Sequence, residues 1–431
     1  MLSPVEELRY RRALWRRSKI RFFFWSMLPV EVRQEILFLN RYALFDSVSY
    51  AERYLFGRLI YLAILHYVFL GKYFQYDPNP YFMARYYKKK YLQAAIDNPI
   101  LHYWLQGQYL GNKTTYYQDA PCFFKMPVSK DYSNLERDLI ALISGTRSSE
   151  KKRLCLYAHY DPESIIDSAV VHCIKAMADA GFEIVFISTS LQFHEKEFAK
   201  IACYCSRGIH KKNHGWDFGS WALAIKLHDN LQKYIQIVFT NDSFLGPLYE
   251  NLPLIFKRMA TKNLDVWSLV DYDSDKHYVL QSFFLCFNQK IIEDGFITNY
   301  FKRFVICPNK RWVVPWCEVG LTQLLISAGY RVAACYKTSE IKKRILQTTT
   351  ARYALYRDLV RSGERCNVVI SFWDFLVAEM QFPVVKIKSV LLSNRRIATV
   401  SPEFILKKTA LRWSDIEKYI VRIKKYYTNY Y

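Results

Sequence analysis

The sequence predicts an α/β protein: a mostly parallel sheet in the middle of the chain, a helical N-terminal region and a basic helical C-terminal segment. Three observations predict it. From residue 153, short apolar runs alternate with stretches of helical period, the pattern of strand–helix–strand units. Hydrophobic residues make up 51% of the 431, while Gly and Pro number only 14 each. That gives ample core material and excludes collagen-like, low-complexity and globally disordered chains. The formal net charge of +22 is uneven: residues 151–330 carry +2, residues 1–150 carry +8 and residues 331–431 carry +12. A near-neutral sheet domain flanked by basic ends suits nucleic acid or an anionic membrane surface as partner.

The N-terminal 75 residues read as helices. Arg9, Arg11, Arg12, Arg16, Arg17, Lys19 and Arg21 alternate with Leu8, Leu14, Trp15, Ile20 and Phe22 to Phe24. The pattern fits a basic amphipathic helix at a membrane surface, or a solvated helix packed on its own domain. No small-residue cleavage site follows, so a secretory signal is not expected. The longest apolar run, Leu59 to Leu70, has 12 residues. A bilayer needs roughly 20, so the run predicts a buried or interfacial helix. Asp77-Pro78-Asn79-Pro80 is a turn signal, after which Gly and Pro separate short helices up to residue 124. Residues 131–150 read as a linker. The ten cysteines include no C-x-x-C pair. Cys203, Cys205, His210 and His214 have some of the makings of a zinc site, against which stands the reading of ordinary reduced thiols in a cytoplasmic protein.

In the middle region Leu154 to His159 predicts a buried strand, Ile165 to Ala180 a helix stopped at Gly181, and Glu183 to Ser188 a second strand. A helix over 192–202, a helix over 219–227 and strands over 235–240, 265–270 and 277–284 follow. Ligands of such sheets bind beyond the carboxyl ends of the strands. Tyr160 and Asp161 after the first strand, and Asn241, Asp242 and Ser243 after a later one, therefore carry the most weight. Trp316 to Gly329 predicts a helix with Glu318 at its start, where the helix dipole would keep the carboxylate ionised. Ser414-Asp415-Ile416-Glu417 is a capping box that opens a C-terminal helix. Its apolar face would hold Ile416, Tyr419, Ile420, Ile423 and Tyr427, and it is interfacial or solvated.

The sequence holds no P-loop, G-x-G-x-x-G, H-E-x-x-H or G-x-S-x-G. ATP hydrolysis by a P-loop, hydride transfer, zinc proteolysis and hydrolase chemistry thus lack their usual parts. Short acidic motifs at strand ends suit a charged or metal-bound diphosphate. Asn241-Asp242-Ser243 offers one carboxylate between neutral oxygens, a weak set for Mg²⁺, with Lys211 and Lys212 as compensating charge. It also reads as a turn cap. His277 and Gln281, on one face of an alternating strand, would line a polar cleft or serve as ordinary hydrogen-bonded residues. Glu318 is a candidate base or a plain helix-start carboxylate.

Several blocks stand in an order that resembles the rhamnan synthesis protein F family of bacterial glycosyltransferases. They are Leu156 to Asp161, Asn213-x-Gly215-x-Asp217-Phe218-Gly219-Ser220-Trp221, Thr240 to Ser243 with Gly246-Pro247, His277-x-x-Leu280-Gln281-Ser282-Phe283-Phe284, Glu318 to Thr322, and Phe372-Trp373-Asp374 with Phe382-Pro383-x-x-Lys386. Residues 76–124 resemble a small module found beside bacterial glycosyltransferases, through Asp77-Pro78, Asn98 to Tyr103, Gly107 and Gly111. The resemblance implies a GT-A-like (Rossmann-like) domain over residues 151–392, a helical module and linker over 76–150, a basic helical region over 1–75 and a basic amphipathic segment over 393–431.

It also implies inverting transfer of a deoxysugar, L-rhamnose from dTDP-L-rhamnose, to a lipid-linked glycan in cell-surface polysaccharide (O-antigen or cell-wall) synthesis. Asn241-Asp242-Ser243 takes the place of the Asp-x-Asp motif of such enzymes. Asp242, with Mg²⁺ or Mn²⁺, and Glu318 are then the expected catalytic groups. Tyr160, Asp161, Lys211, Asn213, Asp217, Asn241 and Ser243 are expected at the donor, and His277 and Gln281 at the sugar or acceptor. The neutral outer positions of the motif put metal dependence in question, and leave a non-catalytic assembly partner of the same fold as the alternative. The expected location is the inner face of the bacterial plasma membrane, held there by the basic ends. No nucleic-acid motif is present, and no nucleic-acid partner is expected.

Overall fold

The computed structural model describes residues 25–427 apart from 43, 93–97, 109–111, 115–127, 148–151, 250–251, 274–277, 307–312, 364–365, 393–401 and 408–409. The chain forms two compact units, Met1–Lys125 and Met126–Tyr431. The expected boundaries at 75/76 and 150/151 are not where the chain divides. Residues on both sides of position 75 share one core, and residues 139–144 belong to the sheet of the second unit.

The first unit is a helical duplication that the sequence reading did not recognise. Helix Ser47–Tyr54 leads to a helical stretch ending at Gly71, and helix Ala84–Tyr91 leads to a second one ending at Gly107. The same parts recur in each half. Tyr50 pairs with His66 and Tyr87 with His102, both at 2.9 Å. Each tyrosine hydroxyl sits against the terminal glycine of its half, so a Cβ on Gly71 or Gly107 would collide with it. The halves meet over Phe45, Tyr50, Tyr67, Phe82 and Tyr87. Buried polar groups are matched: Tyr67 donates to Asn98 Oδ1 (2.9 Å), and Asn98 donates to Glu35 Oε1 (2.6 Å). The high aromatic content thus serves packing here.

The strands of the second unit are β1 (Leu139–Ser144), β2 (Arg153–His159), β3 (Glu183–Ser188), β4 (Cys205–Lys211), β5 (Gln236–Asn241), β6 (Phe244–Leu245), β7 (Val266–Asp273), β8 (Tyr278–Leu280), β9 (Phe284–Asn288), β10 (Val332–Tyr336) and β11 (Val385–Lys386). The main sheet runs β1-β4-β3-β2-β5-β9-β7-β10, with β8 beside β7. Strands β4, β3, β2 and β5 are mutually parallel, as are β7 and β10, while β1 and β9 run against their neighbours. The α/β class expected from the sequence is what the structure shows, with a Rossmann-like parallel half. The order reverses between β2 and β5, which makes their carboxyl ends the topological switch point.

Both faces of the sheet are covered, so strands such as β3 and β5 are buried throughout. On one face Cys155, Tyr157, Phe186, Val238 and Trp267 pack on helices Ser168–Asp179, Leu252–Ala260 and Thr338–Gln347. On the other, Trp221 of helix Trp216–Lys226 stacks on Phe239, with centroids 5.2 Å apart, and Phe239 also meets Phe287 and Phe301. Strands β1, β4 and β10 were not expected. β4 reads Cys-Ser-Arg-Gly-Ile-His-Lys, too polar for an apolar-run criterion, and it forms because neighbours on both sides supply its ladder. The expected single strand over 277–284 is two, β8 and β9, separated by a turn at 281–283.

The C-terminal helix, Trp413–Tyr427, lies on this unit. Ile416 and Ile423 are buried in one cluster with Leu245, Trp373, Val377 and Val390. That corrects the interfacial reading of this helix, because its apolar face is already occupied. Among the described residues no helix is long and apolar enough to cross a membrane.

Candidate active site

The switch point gathers groups from six places in the chain. β2 ends at His159, and the Tyr160 N–H donates to Asp242 Oδ2 at 2.6 Å, tying the ends of β2 and β5 together. Asp217 lies in the first turn of helix Trp216–Lys226, where the dipole favours a carboxylate. Gly219 lets this turn close, since a Cβ there would strike the His214 carbonyl. Asn241 donates from Nδ2 to Asp217 Oδ2 (2.7 Å), and its Oδ1 accepts from the Ser243 N–H (3.1 Å) and hydroxyl (2.5 Å). The Ser282 hydroxyl, in the turn between β8 and β9, donates to Glu318 Oε1.

Lys386 joins this cluster, and the sequence reading did not single it out. It arrives on β11, which pairs with β6 in the register Lys386↔Phe244. Gly246 permits that pairing: with φ at +154°, any Cβ would lie 2.7 Å from the Pro383 carbonyl. The Lys386 ammonium donates to Ser243 Oγ (2.7 Å) and lies 4.0 Å from the centroid of the Phe283 ring. The residue stood in the last of the sequence blocks, but nothing local pointed it at Ser243, 143 residues earlier.

Burial dominates the electrostatics. It pushes Asp242 up to about 8, with repulsion from Asp217 and Asp161 adding to it and the Tyr160 N–H opposing it. Glu318 is raised by burial, opposed by the Ser282 hydrogen bond and by Lys386. Lys386 is lowered to about 8 by burial, against the attraction of Glu318, Asp217 and Asp242. The expectation that a helix start would keep Glu318 acidic is corrected. The helical stretch begins at Val313, so Glu318 is not at its N-terminus, and burial decides.

The Asp242 shift has a measurable consequence. Its folded pKa exceeds the unfolded one near 4, so its contribution to stability is full below about pH 4 and is lost as pH rises through about 8. The melting temperature of the wild type should therefore fall more steeply between pH 5 and pH 8.5 than that of Asp242→Asn. Asp242 is partly exposed, and the difference is expected to reach about 2 kcal/mol. Thermal unfolding at three pH values checks this, and parallel curves would contradict the burial of a charged Asp242.

The structure gives three expected site residues other tasks. Lys211 is fully buried, and its ammonium donates to the Lys212 carbonyl (2.6 Å) and the His214 carbonyl (3.0 Å). It braces the loop before helix Trp216–Lys226, and burial lowers its pKa to about 8. Gln281 is buried and donates to the Asp271 carbonyl and Asn367 Oδ1, both at 3.3 Å. Asp161, only 4% exposed, accepts from the Glu163 and Ile165 N–H groups and from both Arg422 Nη atoms. Tyr160, Lys212 and Asn213 are exposed. His277 lies outside the described residues.

The donor set does not fit a divalent cation well. Mg²⁺ and Mn²⁺ take about six oxygens in tight geometry. Here Asn241 Oδ1 and Ser243 Oγ are engaged with each other, and Ser243 Oγ also holds Lys386. Among the described residues no group of three or more His, Cys, Asp or Glu could hold a metal ion. The zinc reading of Cys203, Cys205, His210 and His214 fails too. Cys205 is a buried strand residue, His210 bonds the Ser190 carbonyl and His214 pairs with Asp138.

A family model described as rhamnan synthesis protein F matches residues 184–430. The chain belongs to the rhamnan synthesis protein F family. The match takes in Asp217, Asp242, Glu318 and Lys386, together with the C-terminal helix. Among curated relatives of this family member, the uncharacterized protein y4gN of Sinorhizobium fredii (strain NBRC 101917 / NGR234) is 25% identical over 187 residues, 43% of this chain and 48% of that protein. The virulence protein VirA of Vibrio anguillarum is 22% identical over 232 residues, 52% of this chain and 73% of VirA. The chain thus spans about half of the first relative's length. A solved structure, the mannosyltransferase PcManGT from Pyrobaculum calidifontis in complex with GDP-Man and Mn²⁺, is 13% identical with a TM-score of 0.26, covering 62% of this chain and 75% of that one.

Proposed function

We propose that this chain is an inverting, GT-A-like glycosyltransferase. It moves L-rhamnose from dTDP-L-rhamnose to a lipid-linked glycan in bacterial cell-surface polysaccharide synthesis. The observation that carries the reading is Glu318: a half-buried carboxylate with a raised pKa, hydrogen-bonded by Ser282, in one electrostatic cluster with Asp217, Asp242 and Lys386 at the switch point. A general base is most effective when its pKa approaches the working pH. In the proposed step the acceptor hydroxyl oxygen attacks the anomeric carbon from the face opposite the diphosphate. The new C–O bond forms as the bond to the diphosphate oxygen breaks. The hydroxyl proton passes to Glu318, and the electron pair of the broken bond stays on the diphosphate.

The membrane part of the reading rests on exposed side chains of the first unit. Phe56, Leu59, Leu62, Phe69, Leu70 and Phe74 are all exposed and fall within 19 residues that also hold the exposed Arg58. Each basic residue close to an anionic leaflet is worth about 1 kcal/mol.

The experiment is release of free nucleoside diphosphate from a panel of nucleotide sugars, dTDP-L-rhamnose first, with a lipid-linked glycan acceptor. Turnover with one donor supports the reading. Donor binding without turnover from any donor would favour a non-catalytic assembly partner.

A further inference from the structure

We propose that the Lys386 ammonium, not a bound divalent cation, is the positive charge this site sets against the departing diphosphate. The proposal rests on the glycosyltransferase reading and adds a catalytic residue to it.

Three independent features of the site converge. The first is position. β11 pairs with β6 directly after Asn241-Asp242-Ser243, and this register brings the ammonium onto Ser243 Oγ at 2.7 Å, the last residue of the strand-end motif. A cation is therefore built into the place where the fold would otherwise need to recruit one.

The second is the state of the oxygens. Asn241 is held through both ends of its amide, by Asp217 at 2.7 Å and by Ser243 at 2.5 Å. Asp242 Oδ2 accepts from the Tyr160 N–H at 2.6 Å. A hard divalent ion that took Asn241 Oδ1 and Ser243 Oγ as ligands would have to displace the ammonium and break the Asn241–Ser243 bond.

The third is how the lysine is held. The ring of Phe283 lies 4.0 Å from Nζ, and the face of an aromatic ring stabilises a cation without neutralising it. Ser243 contributes a neutral acceptor. Neither contact is a direct carboxylate pair, so the ammonium keeps hydrogen-bonding capacity for phosphate oxygens. Such a donor, fixed in advance where negative charge develops, lowers the barrier without reorganising.

In the transfer step, the Lys386 N–H groups would donate to the diphosphate oxygens as the glycosidic C–O bond breaks. No proton or electron is consumed at the lysine.

The test uses the full chain, dialysed against EDTA. Calorimetric titration with dTDP, UDP and GDP is run on the wild type, Lys386→Met and Lys386→Arg, in EDTA and in Mg²⁺ or Mn²⁺. Nucleoside diphosphate release is measured in parallel. The expected result is that the wild type binds one of the diphosphates in EDTA and gains less than about threefold with either cation. Lys386→Met should lose about 10²-fold in kcat, as for other electrostatic groups at developing charge, with weaker diphosphate binding. Lys386→Arg should recover part of both, and melting curves show whether the variants remain folded.

Binding and turnover that vanish in EDTA and return with Mg²⁺ or Mn²⁺ would overturn the proposal while leaving the glycosyltransferase reading intact. Equal diphosphate binding by folded wild type and Lys386→Met in EDTA would also overturn it. A wild type that binds no nucleoside diphosphate under any condition would overturn the functional reading itself, and the lysine assignment with it.

Discussion

Glu318→Gln is expected to lose 10²- to 10⁴-fold in kcat, the range of a general base, while donor binding stays within about threefold of the wild type. The amide keeps the shape and accepts the Ser282 hydrogen bond through its oxygen, but it cannot take the acceptor proton. The pH profile sharpens the test. Burial raises the Glu318 pKa, so the wild-type rate should rise with pH through an apparent value above the usual carboxylate range, and that limb should disappear in the variant. Ser282→Ala offers a milder control. Losing that hydrogen bond removes a stabiliser of the carboxylate, so the apparent pKa should move further up. A Glu318→Gln enzyme that turns over at the wild-type rate would remove the base and leave the fold and family standing.

Arg422→Met is expected to destabilise the second unit by about 3 kcal/mol and to lower its melting temperature by several degrees. Arg422 reaches from the C-terminal helix into the loop after β2. Its Nη2 lies 2.5 Å from Asp161 Oδ2, its Nη1 lies 3.0 Å from Asp161 Oδ1 and 3.3 Å from Glu163 Oε2, and Nη2 also pairs with Asp167. Methionine keeps the apolar stem and leaves carboxylates facing one another without their central cation. Removing one partner of a buried pair costs far more than the pair contributes. Lys425→Ala, at an exposed position beside Glu163, should leave stability close to that of the wild type.

The pH dependence of the Arg422→Met penalty follows from its cause. Lys425 and then Tyr426 hold Glu163 down to about 2. That contribution is present above the unfolded value of 4.5 and is lost as pH falls through about 2, and the variant keeps the larger part of it, which comes from Lys425 and Tyr426. Burial raises Asp167, so its repulsion with the neighbouring carboxylates should weaken as it protonates, and the penalty shrinks as pH falls. A penalty that is flat with pH, measured by denaturant unfolding, would argue for lost packing instead. Arg422→Met should also weaken donor binding, because the loop it clamps starts at Tyr160, whose N–H holds Asp242.

Much of the site was legible because its parts lie at strand and helix ends. Tyr160, Asn241, Asp242 and Ser243 follow apolar runs, and Asp217 opens a helix, so local pattern placed them at the carboxyl edge of a parallel sheet. Lys211, Gln281 and Asp161 show where such reasoning stops. Their chemistry suited a ligand, yet each is turned toward protein carbonyls, an amide or an arginine. A sequence states which donors and acceptors exist but not which neighbour satisfies them first. The duplication of the first unit did have a signal, Leu65-His66-Tyr67-x-x-x-Gly71 and Leu101-His102-Tyr103-x-x-x-Gly107. It was passed over because the rest of the two halves differs.

By itself the sequence determined the α/β class, the βαβ core from residue 153, the absence of P-loop and hydrolase motifs and the carboxylates at the switch point. All of these depend on residues within about 35 positions of one another, where periodicity and capping act directly. Only the tertiary structure decided that the C-terminal helix turns its apolar face inward, that Arg422 meets Asp161 across 261 residues and that Lys386 meets Ser243 across 143. It also decided the protonation tendencies, since Glu318 is raised and Lys386 lowered by what buries them. Desolvation belongs to the folded environment of a group, and nothing in its own stretch of chain records it.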